Sequence, residues 1–166
     1  MPRSKRRSPS RQLSYQPLEP RQLLAGDVSV SINGSTLQIT GDSAANQIQV
    51  TTNAAGNVVV TGNDTTINGS PDSFVVSDSF RQVALSMGDG NDEASIDGLS
   101  AGQDITKSIY LYLGDGNDVV GVDGMSAGRN FKVFGGSGND TFSSSDLNVG
   151  RKLRLNMGQG DDNALL

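Results

Sequence analysis

Four glycine-rich acidic turns recur in the second half of the chain. They are Gly88-Asp89-Gly90-Asn91-Asp92, Gly114-Asp115-Gly116-Asn117-Asp118, Gly136-Ser137-Gly138-Asn139-Asp140 and Gly158-Gln159-Gly160-Asp161-Asp162. Glycines let a backbone bend until successive carbonyls aim at one point, and the aspartate adds a carboxylate there. A hard cation such as calcium takes roughly six to eight oxygens at about 2.3–2.6 Å. One turn cannot supply that many, but two turns stacked about 4.8 Å apart can share an ion. Stacked carboxylates would also repel one another without a cation between them. The candidate metal-ligating residues are therefore Gly88, Gly90, Asp92, Gly114, Gly116, Asp118, Gly136, Gly138, Asp140, Gly158, Gly160 and Asp162. A metal-free alternative stands beside this one, because Gly, Asn and Asp favour tight turns of any kind. A plain turn, however, does not require aspartate at the same slot four times.

Other chemistry is poorly supplied. The chain has no histidine and no cysteine, which removes Ser-His-Asp catalysis, cysteine nucleophiles and ordinary zinc sites. The acidic turns have no following helix, no Lys-Ser/Thr and no glutamate at a twelfth position, so they are neither phosphate loops nor EF-hands. Asp161-Asp162 lies inside the repeat and reads as a ligand or structural pair rather than as glycosidase carboxylates. The sequence is read as non-enzymatic.

The turns are positioned by a repeat. Their first glycines are 26, 22 and 22 residues apart, the longer gap being an insertion at Ile105-Thr106-Lys107-Ser108. A fixed period near 22 with strand-like runs between turns marks stacked coils. In the second unit the predicted elements are a strand over Ile109–Leu113, the turn Gly114–Asp118, a strand over Val119–Asp123 and a turn over Gly124–Asn130. A further glycine (Gly102, Gly128, Gly150) recurs on the opposite side. The inward candidates are Leu111, Leu113, Val120, Val122, Phe131, Val133, Phe142, Leu153 and Leu155. Aromatic residues make up 5% of the 166, so each coil buries little and stacking must supply the stability.

The first half carries the same character in weaker form. Val28–Ile32, Leu37–Ile39, Ile48–Val50 and Asn57–Val60 read as strands, with Asn33-Gly34 and Asn68-Gly69 as turns. Gly41–Ile48 and Gly62–Ile67 look like degenerate copies of the acidic turn. No helical periodicity follows Ala25. Residues 1–25 hold six basic residues against Glu19 alone and predict a disordered tail. The remaining chain holds seven basic residues and 17 acidic ones, a balance that suits cations better than nucleic acid. The tail has no apolar run suited to a secretory signal, and no segment is long enough to span a membrane.

Two segments resemble known families. Gly135-Gly136-Ser137-Gly138-Asn139-Asp140-Thr141-Phe142-Ser143 matches every fixed position of the nonapeptide G-G-x-G-x-D-x-U-x of the RTX (hemolysin-type) calcium-binding repeats. The other turns depart only at its first glycine, replaced by Met87, Leu113 and Met157. Leu18-Glu19-Pro20-Arg21-Gln22-Leu23-Leu24 resembles the LEPR-XLL segment of large bacterial surface or secreted repeat proteins. The resemblance implies bound Ca2+, a secreted or cell-surface location and a structural or adhesive role. RTX repeats recur every nine residues, whereas this motif appears once per 22. It therefore implies ions along one edge, in about three inter-turn sites.

The expected architecture is all-β: a parallel β-solenoid (β-roll or β-helix-like) with a disordered N-terminal tail. Its parts are residues 1–25 (tail with the LEPR-XLL segment), 26–80 (degenerate β-rich coils) and 81–166 (the repeat solenoid). The expected partners are calcium ions and a second copy through the open C-terminal solenoid edge, with no nucleic acid. The alternative function is a metal-independent structural fragment of a larger surface protein.

Overall fold

The computed structural model describes residues 26–99, 105 and 107–166. The basic tail, the LEPR-XLL segment and Gly102 lie outside the described residues.

Every regular element among the described residues is a strand. The first six are β1 (Asp27–Asn33), β2 (Thr36–Thr40), β3 (Gln47–Thr52), β4 (Val58–Gly62), β5 (Thr66–Ile67) and β6 (Phe74–Val76). The repeat follows as β7 (Gln82–Asp89), β8 (Glu93–Asp97), β9 (Ile109–Asp115), β10 (Val119–Asp123) and β11 (Ser126–Ala127). It continues as β12 (Asn130–Ser137), β13 (Thr141–Ser145), β14 (Asn148–Val149), β15 (Lys152–Gln159) and β16 (Asn163–Leu165). No helix among them is long and apolar enough to cross a membrane.

The strands form a parallel β-solenoid. One sheet runs β15-β12-β9-β7-β2-β1-β5, and the facing sheet runs β16-β13-β10-β8-β3-β4-β6. Residues one repeat apart pair directly, as in Leu85↔Leu111 and Leu111↔Val133. Alternate side chains point inward, so columns of like residues fill the interior. Val83, Ile109 and Phe131 make one column and Leu85, Leu111 and Val133 another, all buried. Phe131 meets Phe142 across the coil with ring centroids 6.1 Å apart. Leu153 and Leu155, in the last coil, are only partly covered; Leu153 is 37% exposed.

The opposite connection is more than a bare turn. β11 pairs with β14, giving the later coils a short third side. Leu99 and Met125 are buried from that edge, and Leu147 packs, partly buried, against the core.

The first half departs from a run of degenerate coils. β2 and β3 do form a partial coil, parallel to β7 and β8. β1 folds back antiparallel on β2 through Asn33-Gly34, where Gly34 has φ 61°. β4 runs antiparallel to β3, and β6 antiparallel to β4. The segment Gly62–Ile67 is therefore no coil of the row; it crosses the same edge in the reverse direction. The Asn63 N–H donates to the Gln47 carbonyl (2.9 Å), and the Thr65 hydroxyl accepts the Gln47 N–H (2.9 Å). These antiparallel strands cover one end of the parallel stack and occupy its edge groups.

Candidate metal centre

The four acidic turns, preceded by Gly41–Asn46, stack along one edge of the solenoid. Each joins the first sheet to the second: β7 to β8, β9 to β10, β12 to β13 and β15 to β16. Glycine is required by proximity as well as by conformation. A Cβ at Gly114 would lie 1.6 Å from the Gly88 carbonyl oxygen, and one at Gly116 1.6 Å from that of Gly90. Both residues also have positive φ, 118° and 138°.

Two side-chain ladders run through the turns in opposite directions. Each aspartate accepts through Oδ1 from the coil before it. Asn46 N–H donates to Asp92 (2.7 Å), Asp92 N–H to Asp118 (2.9 Å), Asp118 N–H to Asp140 (3.1 Å) and Asp140 N–H to Asp162 (2.9 Å). Each neighbouring asparagine accepts from the coil after it. Asn117 N–H donates to Asn91 Oδ1 (2.8 Å), Asn139 N–H to Asn117 (2.7 Å) and Asp161 N–H to Asn139 (2.8 Å). Reasoning from sequence missed this asparagine ladder, though its signal was present as Asn at the fourth turn position in three consecutive turns.

The second carboxylate oxygens are different. Asp92, Asp118 and Asp140 are 2%, 0% and 1% exposed. Their Oδ2 atoms, with Asn46 Oδ1, are buried without a hydrogen-bond partner. A buried carboxylate oxygen accepts only, so it needs a donor or a cation. Burial pushes the Asp92 carboxyl up to about 6, with the neighbouring Asp118 charge adding to the rise and the Asn46 N–H opposing it. Burial likewise raises Asp118 and Asp140, reinforced by Asp140 and Asp162 respectively. Asp42 is the contrast. Burial acts on it too, but donors from Ala44, Asp27 and Asn46 outweigh it and hold its carboxyl below the usual value.

The residues fit calcium best at one place. A Cβ on Gly135 would lie 2.0 Å from the Met157 carbonyl oxygen and 2.4 Å from Asp140 Oδ2. Two oxygens thus converge on space that only glycine leaves open. Met87 and Leu113 fill the same slot with buried side chains in earlier coils. Gly41 occupies it in the partial coil, where the Met87 carbonyl oxygen approaches to 2.2 Å but the second neighbour is the Asn46 amide nitrogen (3.0 Å). Among the described residues no three acidic side chains converge on one point. Any ion there takes one or two carboxylates and completes its shell with carbonyls and water.

All twelve expected ligand residues therefore lie on one edge, and the aspartates form a continuous buried row. Asp162, in the last coil, is half-buried. No known protein family, curated protein or solved structure matches the chain.

Proposed function

We propose that this chain is a calcium-binding structural or adhesive module, exported to the cell surface or beyond, and not an enzyme. The observation that carries the calcium reading is the row of buried, unpartnered oxygens on Asp92, Asp118 and Asp140. A divalent cation satisfies such atoms and cancels the repulsion between stacked carboxylates. The Gly135–Asp140 turn, with the full nonapeptide and its glycine-lined oxygens, holds the tightest ion. The surface location rests on the LEPR-XLL resemblance at Leu18–Leu24.

Calcium then couples to folding. The metal-free turns repel, and binding to the folded state alone adds stability by mass action. Circular dichroism melts in EGTA and in millimolar calcium test this: calcium raises the melting temperature and sharpens the β-signal. Identical melts would remove the metal from the account.

A metal-independent scaffold is the second reading, and the two ladders favour it. Each Asp Oδ1 and Asn Oδ1 already joins neighbouring coils without an ion.

A further inference from the structure

The body of the chain is acidic, yet its seven basic residues are gathered on one side, away from the aspartate row. Four form a column at the corner leading into the first sheet. Lys107 N–H donates to the Arg81 carbonyl (3.0 Å), Arg129 N–H to that of Lys107 (3.1 Å) and Arg151 N–H to that of Arg129 (2.8 Å). These bonds hold Arg81, Lys107, Arg129 and Arg151 in register, about 4.8 Å apart along the solenoid axis. All four are exposed. Lys152 adjoins them, and Lys132 and Arg154 pair side by side on the outer face of the sheet.

No acidic residue stands at an outward position of β7, β9, β12 or β15 until the acidic turns begin. Among the described residues none of the seven is paired with a carboxylate. Lys107 Nζ donates to the Ser35 hydroxyl (2.9 Å), and Lys132 Nζ lies 5.1 Å from the Tyr110 ring centroid. Like charges stacked at this spacing repel, and nothing in the described fold relieves them.

Aromatic rings complete the face. Tyr112 stacks on Phe134 with centroids 4.9 Å apart and planes within 4°, and Tyr112 is 43% exposed. Tyr110 lies alongside, 6.4 Å from Tyr112.

We propose that this outer face, from the Arg81–Lys107–Arg129–Arg151 column to the Tyr112–Phe134 pair, docks an acidic polysaccharide lying along the solenoid axis. A straight column of positive charge in an otherwise negative body complements a linear chain of repeating carboxylates. Three of its four members are arginines, whose forked guanidinium matches a carboxylate. The aromatic pair argues against single-stranded nucleic acid. Bases stack on free ring faces, and here Tyr112 and Phe134 each cover one face of the other, while Lys132 Nζ lies over the Tyr110 ring, so few faces are left to bases. A second copy of the chain fits less well. Its aspartate row is buried, and its outward acids line up no more than two coils deep, Asp89 with Asp115 and Asp97 with Asp123, before giving way to Ser137 and Ser145.

The test is retention of the full chain on immobilised polygalacturonate, in chelator so that calcium cannot gel the polymer, well below the melting temperature and with the β-signal of the chelated protein verified by circular dichroism. Neutral dextran and a single-stranded oligonucleotide serve as comparators. Wild type binds polygalacturonate at low salt, ignores dextran, and is released as salt screens the charges. Arg129→Glu with Arg151→Glu weakens binding on the order of tenfold, while Arg129→Lys with Arg151→Lys, which keeps the charge but not the fork, weakens it less. Neutral Arg129→Gln with Arg151→Gln replaces the reversal should that variant not fold. Undiminished binding of the reversed or neutralised protein would assign retention to the basic N-terminal tail and overturn the proposal. Failure of wild type to bind, or tighter binding to the oligonucleotide, overturns it too.

Discussion

At the scale of single residues, the buried aspartates divide their two oxygens between two tasks. Oδ1 joins a neighbouring coil, and Oδ2 is left for a proton or a cation. That division fixes the direction of the pH response. The folded-state value of Asp92 lies above the ordinary 3.8, at about 6. The stability it contributes is fully present below the unfolded value and lost as pH rises through about 6. Asp118 and Asp140 shift the same way. Chelated protein therefore melts at a higher temperature at pH 5 than at pH 7.5, and excess calcium, which binds the ionised carboxylates, reverses that order. Melts at both pH values with and without calcium check the sign. Asp118→Asn removes a buried charge, so it raises the melting temperature in EGTA. It also cuts the calcium-dependent gain, by about 1.4 kcal/mol for each tenfold loss of calcium affinity. Gly135→Ala places a methyl among the Met157 and Asp140 oxygens. It abolishes the tightest calcium-binding event in calorimetry and, because the Met157 oxygen belongs to the backbone, also lowers the melting temperature in EGTA, so the β-signal is checked beside the titration.

At the scale of the element, the coil is a strand, an acidic turn, a second strand and a return path, and most of it was legible in the sequence. Alternation gave the strands: the predicted Ile109–Leu113 and Val119–Asp123 are observed as Ile109–Asp115 and Val119–Asp123. Spacing gave the register, because the glycines sit 22 residues apart and pair as Gly114↔Gly136 and Gly136↔Gly158. The direction of β4 was not legible. Val58–Gly62 has the same β-branched character whether it runs parallel or antiparallel, and only pairing with β3 decides. The unpartnered Oδ2 atoms were equally hidden, since sequence places an aspartate in a turn but does not say which oxygen meets a donor. Close stacking makes the turn intolerant of a side chain. Gly114→Ala sets a methyl against the Gly88 carbonyl at a φ of 118°. It costs at least about 1–3 kcal/mol in denaturant unfolding, with or without calcium.

At the scale of the whole molecule, repetition turns each residue type into a line. The aspartates make a buried acidic row on one edge, and the arginines and lysines make an exposed basic column at the start of the same sheet. Antiparallel strands from the first half cover one end of the stack. A solenoid built this way gains stability coil by coil, so an ion between two turns supports both neighbours. The most direct test of the calcium reading is an isothermal titration of metal-free protein with calcium, counting ions bound. The account predicts one tight ion at the Gly135–Asp140 turn, lost in Gly135→Ala, and weaker binding at the two intervals where Met87 and Leu113 fill the equivalent slot. No binding heat at any calcium concentration, with unchanged stability, would contradict it and leave the aspartate row as a hydrogen-bonding ladder alone.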